Sequence, residues 1–390
     1  MNPGSSVTAG VIPYGRQDIS SEDIAAVVAV LQSDWLTQGP AVPLFEKAVA
    51  NYCGAKHAVA VSSATSALHL ACLALDLGPG DSLWTTPNTF VASANCARYC
   101  GASVDFVDID PRTLNLSPAA LAIKLEQSAK TGNLPKVVVP VHFAGQSCDM
   151  AAIRSLADHY GFRILEDASH AIGGRYQDQS IGNGRYADIT VFSFHPVKII
   201  TTGEGGMALT NDPRLAERMT RLRSHGIVRD SLEQAKHGPW YYEQIELGFN
   251  FRMTELQAAL GLSQLQRLDS FVESRRRLAE RYDCLLADQP LTTPQRDPAC
   301  DSAWHLYVVQ LHDARRRRAV FERMRAAGIG VNVHYIPVHL QPDYQRLGFA
   351  PGDFAVAEDY YSRAITLPLF PQLNDVDQDR VVTTLREALA

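Results

Sequence analysis

The amino-acid sequence predicts an α/β protein: a large domain with a mostly parallel sheet flanked by helices, and a small C-terminal α+β domain. Three observations carry this. From about residue 57, short β-branched runs alternate with longer helical patterns, as strand–helix–strand units require. Several of those runs are apolar at successive positions, which suits strands covered on both faces. After residue 268 the alternation gives way to a mixed pattern. With 390 residues, 46% of them hydrophobic and 20% charged, the chain can bury a large core and a smaller one.

The elements follow in order. HAVAV (57–61) precedes the helix-like ATSALHLACLAL, SLWTT (82–86) precedes FVASANCARYC, and SVDFVDI (103–109) precedes SPAALAIKLEQSAK. KVVVPVHF (136–143) precedes DMAAIRSLADHYG, and FRILED (162–167) comes next. ADITVFSF (187–194) and GMALT (206–210) lead into the helix DPRLAERMTRLRSHG. Beyond the helix TELQAALGLSQLQRL lie the strand HLYVVQL (305–311), a helix through ARRRRAVFERMRAAG, the strand IGVNVHY (329–335) and a last helix DVDQDRVVTTLREALA. This divides the chain into an N-terminal arm (1–19), a large domain (20–250) and a small domain (251–390). The first ten residues, rich in Gly, Ser and Thr, are expected to be mobile.

A net charge of −6 provides no general field for polyanions, so no nucleic-acid partner is expected. The run Arg315 to Arg318 wraps round a helix rather than forming one stripe; it reads as a solvated helix start, with an anion contact as the alternative. Seven cysteines, odd in number and without CxxC or Cys/His metal spacing, favour reduced thiols, and Cys96 and Cys100 read as core packing. The N-terminal stretch lacks the basic and apolar regions of a signal peptide, and no apolar run is long enough to cross a bilayer. The expectation is a cytoplasmic protein with no membrane partner and no metal.

In an open parallel sheet, ligands gather at the carboxyl ends of the strands, so the residues just after each strand are the ones to inspect. After HAVAV comes VSSATSAL, a helix start whose N–H groups could hold a phosphate, although an N-cap explains its hydroxyls equally well. After SLWTT, Phe90 is placed where an aromatic could lie on a planar ring, or fill the core. Asp167 ends an apolar strand with a carboxylate that needs a partner, for which a pyridinium nitrogen, an arginine or a backbone cap would serve. Of the seven lysines, only Lys198 follows an apolar strand at its carboxyl end, with Ser193 and His195 beside it and GEGG after it. A buried lysine loses its charge readily, which suits a Schiff base; a phosphate-binding lysine of a nucleotide site is the competitor. Together these four features point to a pyridoxal phosphate site.

The blocks LTQGPAVPLFEKAVA (36–50), SSATSALHLA (62–71), TTPNTFVASAN (85–95), EDASHAIG (166–173), FSFHPVKIITTGEGG (192–206), RSHG (223–226), GFNFRMTELQAALGL (248–262) and HYIP (334–337) occur in that order. Over nearly its whole length the chain resembles the sugar aminotransferases of the DegT/DnrJ/EryC1/StrS family, fold type I pyridoxal phosphate enzymes. The resemblance implies that Lys198 forms the Schiff base and carries the proton, that Asp167 pairs with the pyridinium nitrogen, and that His170 stands near the ring hydroxyl. It implies that Phe90 stacks on the ring, that Ala64, Thr65 and Ser193 bind the phosphate, and that Asn250 reaches the phosphate of a partner subunit in a homodimer. Tyr14, the stretch Asp34, Trp35, Leu36 and Thr37, and the stretch His334, Tyr335, Ile336 and Pro337 match substrate-contacting segments. Within the family, IPYGRQDIS and SDWLTQGP look most like the transaminases of pseudaminic acid biosynthesis, which implies L-glutamate and a UDP-linked 4-keto-6-deoxy-N-acetylhexosamine as substrates. Another nucleotide sugar, or a cofactor-binding regulator without catalysis, stays open as an alternative; the presence of both Lys198 and Asp167 speaks against the second.

Overall fold

The computed structural model describes residues 10–390. The mobile arm expected at the extreme N-terminus therefore lies almost wholly outside the described residues. Seven strands form the central sheet: β1 (His57–Val61), β2 (Ser82–Thr85), β3 (Ser103–Phe106), β4 (Val137–Val139), β5 (Arg163–Asp167), β6 (Ile189–Ser193) and β7 (Gly206–Thr210). Their spatial order is β1-β7-β6-β5-β4-β2-β3, all parallel except β7, which runs antiparallel to both β1 and β6.

The two-residue period of a strand explains why the runs are apolar throughout. Val137, Val139, Leu165, Val191 and Ala208 enter one core with helices α3 (Ala64–Ala74) and α4 (Ala92–Tyr99). Their neighbours Val138 and Ile164, and Phe192 and Leu209, enter cores on the other face with α2 (Ala41–Cys53), α5 (Pro118–Thr131) and α6 (Met150–Tyr160). Ahead of these, α1 (Ser21–Leu31) starts at a capping box in which Ser20 and Asp23 exchange side-chain and backbone bonds. Helix α7 (Pro213–Leu222) follows β7.

The change of core does not fall at residue 250. Helix α8 (Glu255–Leu265) contributes Ala258 to the large-domain core, and α9 (Leu268–Leu286) serves both cores: Leu268, Phe271 and Val272 pack with the large domain, Leu278, Ala279 and Tyr282 with the small one. The small domain holds β8 (Leu291–Thr292), β9 (Tyr307–Leu311) and β10 (Ala364–Leu367), all antiparallel, with α10 (Arg317–Ala326) and α11 (Asp375–Leu389). Ile12, within the supposed arm, is buried in this core and bridges to Ile329.

The strand expected at 329–335 is not formed. Ile329 bridges to Ile12 on one side and Asn332 to Thr366 on another, so the segment is shared between two partners and cannot run as one ladder. The arginine run is a helix start: Arg315 and Arg318 pair with Asp313 and Glu322, each at 2.9 Å, while Arg316 and Arg317 donate to the carbonyls of Leu389 and Tyr361. Cys96 is buried and Cys100 packs against the same core, as expected. No helix among the described residues is long and apolar enough to cross a membrane.

Candidate active site

Three strand ends build the site. β5 ends on Asp167, β6 on Ser193, and β7 begins at Gly206, which lies opposite Ser193 on one side and Val61 on the other. A Cβ on Gly206 would stand 2.5 Å from the Ala64 nitrogen, so only glycine lets this backbone lie against the start of α3. Gly205 and Gly206 are accordingly buried, with Phe194 donating its N–H to the Gly205 carbonyl at 2.9 Å, while Gly203 and Glu204 are exposed. Ser63 is the N-cap of α3, and its hydroxyl accepts from the Ser66 N–H at 3.1 Å. That leaves the N–H groups of Ala64 and Thr65 at the open positive end of the helix beside Ser193, a cup of the shape and charge that a phosphate needs.

Asp167 is 4% exposed. Its Oδ2 accepts from the Ser93 hydroxyl at 2.6 Å and its Oδ1 from the Ser169 N–H at 3.1 Å. Both donors are neutral, so the arginine alternative is not what the fold provides. Phe90 is 59% exposed, which sets aside the core reading; its ring lies 6.4 Å from that of Tyr335.

Lys198 follows β6 in a turn closed by its own N–H donating to the His195 carbonyl at 2.9 Å. Its side chain keeps some solvent access, yet burial pushes the ammonium down to about 8 against the opposing pull of the Asp167 carboxylate. Three imidazoles feel its charge. His170, His305 and His334 are all held well below the usual imidazole range, first by burial and then by neighbouring cations, with His334 at about 3.

His170 has both ring nitrogens occupied: Nδ1 accepts from the Ala144 N–H at 3.3 Å, so the neutral ring carries its proton on Nε2 and donates to the Tyr335 hydroxyl at 3.1 Å. Any contact with a ring hydroxyl therefore competes with Tyr335. His334 bonds Thr366 Oγ1 at 2.8 Å, and the Tyr14 ring lies 5.6 Å from it. Thus Tyr14, His334 and Tyr335 are gathered beside Phe90 and His170, while Pro337 is buried and Ile336 exposed. Asp34 to Thr37 form an exposed turn after α1; the described contacts tie this turn to α8, through the Glu255 N–H on the Leu36 carbonyl, and not to the cofactor residues. Asn250 also stands apart, exposed, although its neighbour Phe251 accepts from the Ser62 N–H beside the phosphate cup.

The aminotransferase family model for DegT/DnrJ/EryC1/StrS matches residues 17–386. The chain belongs to this family. A spore coat polysaccharide biosynthesis protein, SpsC of Bacillus subtilis, is 43% identical over 96% of each chain. Among solved structures, Helicobacter pylori PseC, an aminotransferase involved in the biosynthesis of pseudoaminic acid, is 33% identical and superposes with a TM-score of 0.89 over 97% of this chain and 99% of that one. A putative sugar aminotransferase, Spr1654 of Streptococcus pneumoniae, solved in its PMP form, is 30% identical over 97% of this chain and 98% of that one, also at 0.89. The protein is therefore a fold type I aminotransferase that uses pyridoxal phosphate, and the expected fold and cofactor are borne out. The cup, the buried carboxylate and the exposed aromatic fit that cofactor.

Sequence reasoning missed Thr89, Ser93, Ser169 and His305. Thr89 and Ser93 stand four apart at a helix start, a spacing that could have paired them. Nothing in the pattern singled out His305, whose ring lies 4.3 Å from His170.

Proposed function

We propose that this aminotransferase moves the amino group of L-glutamate to C4 of UDP-2-acetamido-2,6-dideoxy-β-L-arabino-hex-4-ulose, giving UDP-4-amino-4,6-dideoxy-N-acetyl-β-L-altrosamine, a step toward pseudaminic acid. The observation that carries it is the likeness to PseC along the whole chain, joined to the grouping of Tyr14, His334 and Tyr335 at the site. SpsC, at higher identity, favours a second reading: another nucleotide-linked 4-keto sugar destined for a surface polysaccharide.

Bound pyridoxal phosphate supplies an electron sink for moving an amine and a proton at one carbon. The chain's own residues do the rest. Ala64, Thr65 and Ser193 would hold the phosphate, Phe90 would cover the ring, and Asp167 would keep the ring nitrogen protonated. Lys198 is the covalent attachment point and the base at the substrate carbon, and at neutral pH its lowered pKa leaves roughly a tenth of it unprotonated. The kinetics are ping-pong, 2-oxoglutarate leaving before the keto sugar enters.

The active unit is a homodimer in which Asn250 reaches the partner's phosphate cup. Its exposure and the bare apolar side chains of the preceding segment, Leu232, Trp240, Tyr242, Ile245 and Leu247, support this. Seven free cysteines support a reducing, cytoplasmic setting. Release of 2-oxoglutarate from L-glutamate, measured with a panel of UDP-linked keto sugars, tests the function: turnover with the named sugar and none with Lys198→Ala is expected. Turnover only with other sugars would select the second reading, and an active Lys198→Ala would refute the role of the lysine.

A further inference from the structure

Two buried hydroxyls behind Phe90 have no part in the scheme so far. Thr89 and Ser93 are 2% and 1% exposed, one helical turn apart at the start of α4. Ser93 Oγ lies 2.6 Å from Asp167 Oδ2 and 2.7 Å from Thr89 Oγ1. An ionised carboxylate can only accept, so the single Ser93 proton goes to Asp167, and Thr89 must then donate to Ser93. The direction of the chain follows from that inventory: Thr89 to Ser93 to Asp167.

The turn that carries this chain is itself pinned. Asn88 donates its side-chain N–H to the Leu114 carbonyl at 3.1 Å, and Thr85 Oγ1 donates to the Val139 carbonyl at 2.8 Å. Ser93 donates its backbone N–H to the Phe90 carbonyl at 3.2 Å, so the aromatic and the hydroxyl chain share one turn.

We propose that Thr89 and Ser93 are positioning residues for Asp167, an ordered hydroxyl pair that fixes the carboxylate's rotamer and keeps its charge facing the ring nitrogen. The proposal rests on the reading of Asp167 as the partner of that nitrogen. A short hydrogen bond from a hydroxyl favours the ionised carboxylate. Without it the carboxylate is free to turn away from the ring nitrogen, the proton there is held less tightly, and the ring weakens as an electron sink. Because Phe90 belongs to the same turn, one helix start sets both the plane of the ring and the register of its nitrogen.

The test is the pH midpoint of the visible absorbance band in the pyridoxal phosphate-loaded wild type, Asp167→Asn, Ser93→Ala, Thr89→Val and the double variant, with melting temperatures of the cofactor-free proteins. A protonated ring nitrogen keeps the lysine-bound nitrogen acidic, so Asp167→Asn and Ser93→Ala should both move the midpoint to higher pH. Thr89→Val should move it less in the same direction, and the double variant no further than Ser93→Ala alone. For Ser93→Ala, kcat should fall about tenfold with little change in KM for L-glutamate, the size expected for one charge-assisted hydrogen bond. A midpoint that moves in Asp167→Asn but not in Ser93→Ala overturns the positioning role, as does an additive shift in the double variant or a loss confined to melting temperature. A midpoint unmoved in all variants overturns the reading of Asp167 itself.

Discussion

Replacing Asp167 by asparagine should make Lys198 more acidic, and cofactor uptake reads this directly. Only the neutral amine attacks an aldehyde, so the limiting rate of pyridoxal phosphate capture by the cofactor-free protein tracks the unprotonated fraction of Lys198. With a pKa of about 8 that fraction at pH 7 is roughly one in eleven, whereas an ordinary lysine at 10.5 would offer about three in ten thousand. Burial thus makes roughly 300 times more amine available. The Asp167 carboxylate opposes the effect by favouring the ammonium, so Asp167→Asn should shift the midpoint downward. Stopped-flow absorbance at saturating cofactor, from pH 6 to 10, gives the profile. The wild-type rate should climb about tenfold per unit up to pH 8 and then level off. A wild-type midpoint near that of a free lysine, or an alkaline shift in Asp167→Asn, would mean that burial and Asp167 do not set the charge of Lys198.

The same group sets a stability profile. Between its folded value near 8 and its unfolded value of 10.5, the unfolded chain binds more protons, so the cofactor-free protein should gain stability as pH rises through that window. Denaturant titrations should show a gain of up to about 3 kcal/mol that is missing in Lys198→Met. Phe90→Ala should weaken pyridoxal phosphate binding by roughly 3- to 10-fold, read by fluorescence titration, while the exposed site leaves stability almost unchanged. Gly206→Ala should cost about 1–3 kcal/mol and cripple cofactor retention together, since its Cβ must push the start of α3 aside. Trp240→Asp should break the proposed dimer in light scattering, because its 76% exposed indole is a large bare apolar group on the segment before Asn250.

Much of the fold was legible because buried parallel strands leave an unambiguous pattern. HAVAV and GMALT are strands over the stretches predicted, and Asp167 and Ser193 do end strands, with Lys198 in the turn that follows. IGVNVHY misled because Ile329 and Val331 alternate as in a strand, but their burial comes from docking on Ile12 and the small-domain core. The passage from one core to the other was not legible because α9 is one continuous helix whose two halves face different cores, and an unbroken period of 3.6 contains no mark of the change. Thr89 and Ser93 stayed hidden since hydroxyls are ordinary at any helix start; only the third dimension brings Asp167, 74 residues away, to Ser93.

Chemical reduction shows which residue carries the cofactor, and Lys198 is the one expected. Borohydride reduction of the pyridoxal phosphate-loaded protein, followed by peptide mapping, should place the stable adduct on the peptide containing Lys198 and on no other lysine, with the adduct lost when L-glutamate is added first. An adduct on any of the other six lysines, or none at all in protein that has taken up the cofactor, would contradict the account.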